Sequence, residues 1–149
     1  MKKVIISACL LGEYCRYDGK TKAVDALVDK FKDCEIIPFC PEAPIFGTPR
    51  ERINVVMLSG QKRIITDETN VDVTQKLSDE IDSFIKRNSE ADAIVLKSKS
   101  PSCGLGTTPM LDKNKNILEY GNGLAADKFL ENYPKKNIFD ESSYVTKTY

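Results

Sequence analysis

The chain has 149 residues, 22 basic and 22 acidic side chains, no histidine and five cysteines. Its length suits one domain over 1–149, and 41% hydrophobic with 30% charged residues excludes general disorder and collagen-like repeats. Without histidine there is no Ser-His-Asp or Cys-His pair, no histidine zinc site and no imidazole shuttle. Acid–base work then falls to carboxylates, hydroxyls, lysines, thiols or water, and a transition metal must be held mainly by sulfur.

Val4-Ile5-Ile6-Ser7-Ala8 is a β-branched run ending at Cys9 and predicts a buried strand. Leu10–Lys20, with Gly12 and Asp18-Gly19, reads as a loop. Val24, Leu27, Val28 and Phe31 fall at helical spacing and predict one apolar helix face. Glu35–Phe39 predicts a second strand, ending at Cys40. Prolines 41, 44 and 49 with Gly47 predict a rigid, irregular loop after it.

Ile53–Leu58 predicts a further strand with a short partner at Arg63–Ile65. The clearest helix runs from about Asp72 to Arg87, with Val73, Leu77, Ile81, Phe84 and Ile85 as its buried stripe and Asp72 or Asn70 near the N-cap. Ala93–Leu96 predicts another buried strand, feeding a Ser/Pro/Gly-rich loop over Lys97–Gly106. A helix around Leu124–Asn132 and a strand at Asn137–Phe139 complete the chain. This alternation predicts a single α/β domain with a mainly parallel sheet. Nothing approaches the ~20 apolar residues of a membrane span, and no signal-peptide pattern is apparent, so a cytoplasmic location is expected. In that compartment five cysteines read as thiols, metal ligands or nucleophiles before disulfides.

Parallel α/β sheets gather ligands at the carboxyl ends of their strands. Cys9, Cys40 and Cys103 each lie at or just after a predicted strand end, so three distant loops can deliver three thiolates to one edge. Cys34 precedes its strand and reads as a packing residue at the opposite end. Cys15 is open between packing and joining the site. No C-x₂-C pair is present, so spacing alone carries little signal for zinc or ferredoxin. Cys9 and Arg16 are separated by six residues, one too many for the phosphate cradle of a cysteine phosphatase.

The motifs occur in a fixed order: Ser7-Ala-Cys9-Leu-Leu-Gly12, Arg16-Tyr-Asp-Gly19, Cys40-Pro-Glu42, Gly47-Thr-Pro-Arg50, Asp72-Val-Thr74 and Ser100-Pro-Ser-Cys-Gly104. Together they resemble the thiouracil desulfurase (desulfidase) family from the N-terminus through about Gly106. The resemblance implies a Rossmann-like fold holding a [4Fe-4S] cluster through Cys9, Cys40 and Cys103. It also implies catalytic roles for Glu42 and Ser100; on their own these residues read as a loop-capping carboxylate and a turn-forming hydroxyl.

Three cysteine ligands for four irons leave one iron without a protein thiolate. Such an iron suits a thiocarbonyl sulfur, so the expected reaction is non-redox desulfuration of a thiolated pyrimidine: thiouracil, or a thiouridine nucleoside or nucleotide. Glu42 would activate water, and Ser100 would orient it or relay a proton. Arg16 and Arg50 are open between binding an anionic substrate and pairing with a loop carboxylate. Lys97 and Lys99 are too few to infer RNA recognition, and no RNA-binding module is apparent. The alternative is a non-catalytic protein in which Cys15 closes a four-cysteine zinc or iron–sulfur site.

Overall fold

The computed structural model describes residues 2–11, 25–47 and 49–143. In chain order the elements are β1 (Lys3–Ser7), a 3-10 turn (Ala8–Leu11), α1 (Asp25–Lys30), β2 (Glu35–Phe39), α2 (Ala43–Phe46), β3 (Ile53–Leu58) and β4 (Gln61–Thr66). They continue with α3 (Thr74–Arg87), β5 (Ala93–Leu96), β6 (Thr108–Leu111), β7 (Ile117–Gly121), α4 (Leu124–Asn132), a 3-10 turn (Lys135–Asn137) and β8 (Ile138–Asp140).

The expected α/β fold is present, with its strands divided between two sheets. The first has the order β2-β1-β5-β8 and is parallel throughout. Its central strands are buried on both faces, as parallel sheets require: Val4, Ile5 and Ile6 of β1 and all four residues of β5 are fully buried. Strand alternation divides them between two clusters. Val4, Ile6, Ala93 and Val95 pack with Leu27 and Phe31 on one face. Ile5, Ile94 and Leu96 pack with α3, α4 and the second sheet on the other.

The second sheet, β4-β3-β6-β7, is mixed and stands beside the expected parallel one. It pairs β3 with β4 and β6 with β7 antiparallel, and β3 with β6 parallel. Each antiparallel pair is a hairpin inserted into a crossover of the parallel sheet, β3–β4 between β2 and β5 and β6–β7 between β5 and β8. Ser59 and Gly60, both at positive φ (51° and 78°), close the first hairpin with the twist that two-residue turns favour. The second hairpin gives little sequence signal. Pro109 interrupts β6 just before the residues that pair with β3, and β7 is exposed at Ile117, Leu118, Glu119 and Tyr120 and so does not alternate.

Three local expectations are corrected. The segment after Cys40 contains the helical turn α2, because Pro44 sits in the first turn where a missing N–H costs nothing. On α1 Val28 is exposed, so only Leu27 and the following Phe31 carry the buried face; Val24 lies outside the described residues. Helix α3 starts at Thr74, and Asp72 accepts from both the Thr74 N–H (3.0 Å) and its hydroxyl. Val73, Leu77, Ile81 and Ile85 form the expected buried stripe, and half-buried Phe84 meets Phe39 at 4.6 Å between ring centres.

Two stability predictions follow from this packing. Phe129 of α4 is fully buried, edge-on to Phe39 at 5.2 Å and beside Tyr133 at 5.7 Å. Phe129→Ala should lower unfolding stability by about 3–5 kcal/mol in denaturant titration, since a dry cavity replaces a close-packed ring; an unchanged midpoint would contradict this packing. The second concerns acid. The Arg63 guanidinium, at 2.8 Å, holds the Asp72 carboxyl down at about 2 from the ordinary 3.8, with help from Thr74. A carboxyl depressed by folding stabilises above its unfolded value and loses that contribution as pH falls through the folded one. Asp72→Asn should therefore flatten the stability profile between about pH 4 and pH 2, by a small, solvent-screened amount because both side chains are partly exposed.

Candidate active site

In the parallel sheet the chain leaves β1 towards β2 and then crosses back to place β5 on the other side of β1. The loops following β1 and β5 therefore part company, and a crevice opens between them at the carboxyl edge. Cys9 lies in the 3-10 turn after β1, Cys40 directly follows β2, and Cys103 lies in the loop after β5. All three line one cleft of about 700 Å³, whose opposite wall comes from β3, β6 and β7 of the second sheet. Cys9 and Cys103 are buried and Cys40 is half-buried.

The Cys103 loop is held by a dense set of short bonds. The Ser100 hydroxyl oxygen accepts the N–H groups of Ser102 (3.2 Å) and Cys103 (3.1 Å), a hydroxyl-closed turn. The Ser100 carbonyl accepts from the Gly104 N–H (2.9 Å) and the Thr108 hydroxyl (2.6 Å). A Cβ at Gly104 would collide with that Thr108 hydroxyl, so a side chain is excluded there. The start of α4 docks on the same loop: Ala125 N–H donates to the Ser102 carbonyl and Gly123 N–H to the Gly104 carbonyl, each at 2.8 Å. That approach needs glycine at 123, where a Cβ would lie 2.5 Å from the Ser102 carbonyl. The Lys97 N–H donates to the Ser7 hydroxyl at 2.9 Å and ties the ends of β5 and β1 together.

Glu42, at the N-cap of α2, bridges two of the cysteine loops. Its Oε2 accepts from the Ser102 hydroxyl at 2.7 Å, and its Oε1 faces Arg50 Nη2 at 3.3 Å. Arg50 also donates to the Gly47 carbonyl at 3.0 Å, closing the loop that carries both residues. Burial pushes the Cys103 thiol far above the ordinary cysteine value; hydrogen bonds from the Ser7 and Ser100 hydroxyls pull it down, and Cys40 and Glu42 add to the rise.

All five residues singled out by sequence, Cys9, Cys40, Cys103, Glu42 and Ser100, line this one cleft. Cys34 sits before β2, at the far end of the strand from Cys40, against the cluster around Val4, Ile6 and Phe31. Arg50 pairs with a loop carboxylate, one of the two readings left open for it. Lys97 pairs with Glu141 at 3.2 Å, and Lys99 is exposed. Cys15, Arg16 and Asp18 lie outside the described residues. Sequence reasoning missed Ser102: it stands within a quoted motif, but only the fold brings it to Glu42, 60 positions away.

The donor set is three soft thiols with no imidazole, which suits iron–sulfur chemistry. Among the described residues no three His, Cys, Asp or Glu side chains close on a single metal ion.

Comparison with known proteins points to a family. The sequence pattern of the 2-thiouracil desulfurase family matches residues 4–141. The uncharacterized protein YbbK of Bacillus subtilis (strain 168) is 31% identical over 112 residues, covering 69% of this chain and 74% of its own. Among solved structures, the [4Fe-4S]-dependent thiouracil desulfidase TudS superimposes with a TM-score of 0.76 at 26% identity, over 98% of this chain and 95% of TudS. From the family pattern and the shared fold together, the chain belongs to the 2-thiouracil desulfurase family.

Proposed function

We propose that residues 1–149 act as one desulfidase domain that removes sulfur from a thiolated pyrimidine, thiouracil or a thiouridine derivative, by [4Fe-4S]-dependent hydrolysis. The observation that carries this reading is the convergence of three thiols and one carboxylate on a single cleft at the carboxyl edge of the parallel sheet. Cys9, Cys40 and Cys103 would hold the cluster, which when bound supplies a soft, Lewis-acidic iron without a protein thiolate. In the net reaction water adds to the thiocarbonyl carbon, a C–O bond forms, and the C–S bond breaks with its electron pair leaving on sulfur. Oxo-pyrimidine and hydrogen sulfide result, with no change of oxidation state.

The chain's own groups divide the remaining work. Glu42 takes the proton of the attacking water: among the described residues Oε1 meets Arg50 and Oε2 meets Ser102, which leaves lone-pair capacity on both. Ser100 has its oxygen occupied by two N–H groups, so its own proton remains as a donor toward the Cys103 sulfur or a bound substrate. Pro109, Leu111 and Ile117 give the cleft an apolar wall that suits the face of a flat ring and limits water. No helix among the described residues is long and apolar enough to cross a membrane. The thiols at Cys9, Cys34, Cys40 and Cys103 are in keeping with a reducing, cytoplasmic setting.

The test is an anaerobic assay of protein reconstituted with iron and sulfide against thiouracil, thiouridine and thiouridine phosphates. Sulfide and oxo-pyrimidine should appear in equal amounts, and chelating the iron should abolish both. Glu42→Gln should keep the iron and sulfide content while lowering kcat by about 10²–10⁴. No sulfide release from any of these substrates, with the cluster intact, would overturn the reading. Unchanged turnover in Glu42→Gln would remove that residue from the mechanism.

A further inference from the structure

We propose that Ser102 and Arg50 are positioning residues that lock the Glu42 carboxylate across the cleft and so tie the Cys40 loop to the Cys103 loop. Ser102 is fully buried, so its hydroxyl has no water to turn to, and it donates to Glu42 Oε2 at 2.7 Å. The Ser102 backbone is itself immobilised on both sides. Its N–H is held by the Ser100 hydroxyl and its carbonyl by the Ala125 N–H at the start of α4.

Arg50 supplies the second anchor. Its side chain is only 6% exposed; one guanidinium nitrogen meets Glu42 Oε1 at 3.3 Å and the other the Gly47 carbonyl at 3.0 Å. A carboxylate held through one oxygen can still swing about its last bond. Two donors on its two oxygens, from segments 52 positions apart in the chain, fix its plane. Glu42 follows Cys40 by two residues and Ser102 directly precedes Cys103, so the same bond joins the two loops that carry those cysteines. The kinetic part of this inference rests on the proposed desulfuration; the latch itself does not.

The experiment is a double-mutant cycle, read in two ways on protein purified anaerobically. Ser102→Ala and Arg50→Gln should each lower kcat about tenfold to hundredfold with little change in KM or iron content, the scale of a misplaced catalytic group. In a Glu42→Ala background neither should lower it further, because both act through that carboxylate. Ser102→Thr, which keeps the hydroxyl, should recover part of the loss. In hydrogen exchange, Ser102→Ala and Glu42→Ala should speed exchange over residues 40–50 and 100–107 alike, and the double variant no more than either. A Ser102→Ala loss of kcat that is equally large without Glu42, or exchange unchanged in both segments, would overturn the proposal. If Ser102→Ala does not fold, Arg50→Gln carries the same cycle. If wild-type protein turns over no thiopyrimidine, the proposed function fails while the exchange cycle still decides the latch.

Discussion

The site depends on the parallel pairing of β1 with β5, with β2 added on one side and β8 on the other. Successive strands of a parallel sheet all end on the same edge, so whatever follows them is gathered there. The crossover reverses direction between β1 and β5, and the loops on either side of that point diverge to leave a crevice. Cys9, Cys40 and Cys103 belong to the loops after β1, β2 and β5, and their meeting follows from strand order before any side chain is considered. The second sheet, inserted into two crossovers, closes the cleft from the other side without adding a cysteine.

Convergence alone would leave three loops free to drift, and small residues remove that freedom. Gly104 lets the Thr108 hydroxyl reach the Ser100 carbonyl, and Gly123 lets the first amides of α4 reach the carbonyls of Ser102 and Gly104. The Ser7 hydroxyl anchors the β5 end, and Glu42 crosses from the Cys40 loop to Ser102. The result is a polar frame around soft donors. Iron–sulfur ligation is tuned by hydrogen bonds to sulfur and by burial, and the Cys103 sulfur has both, with the Ser7 and Ser100 hydroxyls beside it.

Much of this frame was legible in the chain, for identifiable reasons. Glu35–Phe39, Ala93–Leu96 and Leu124–Asn132 are continuous apolar or amphipathic segments bounded by polar or turn residues, and the structure gives them the same limits. The strand-end rule then selected three of five cysteines. What stayed hidden has one physical source: contacts between distant positions leave no local pattern. β7 is exposed along almost its whole length and shows no period, while Ser102 and Gly123 matter only through partners brought to them by the fold. Arg50 was open to two readings because the sequence cannot show whether a loop cation faces a substrate or its own chain.

We propose that three cysteines at the carboxyl edge hold a four-iron cluster and leave one iron without a protein thiolate. An anaerobic crystal structure of the reconstituted protein, with iron located by anomalous scattering, tests it most directly. Cys9, Cys40 and Cys103 should each bind a different iron, with no protein sulfur on the fourth. A thiolate from Cys15 or Cys34 on that fourth iron, or a single zinc ion among the cysteines, would contradict the account.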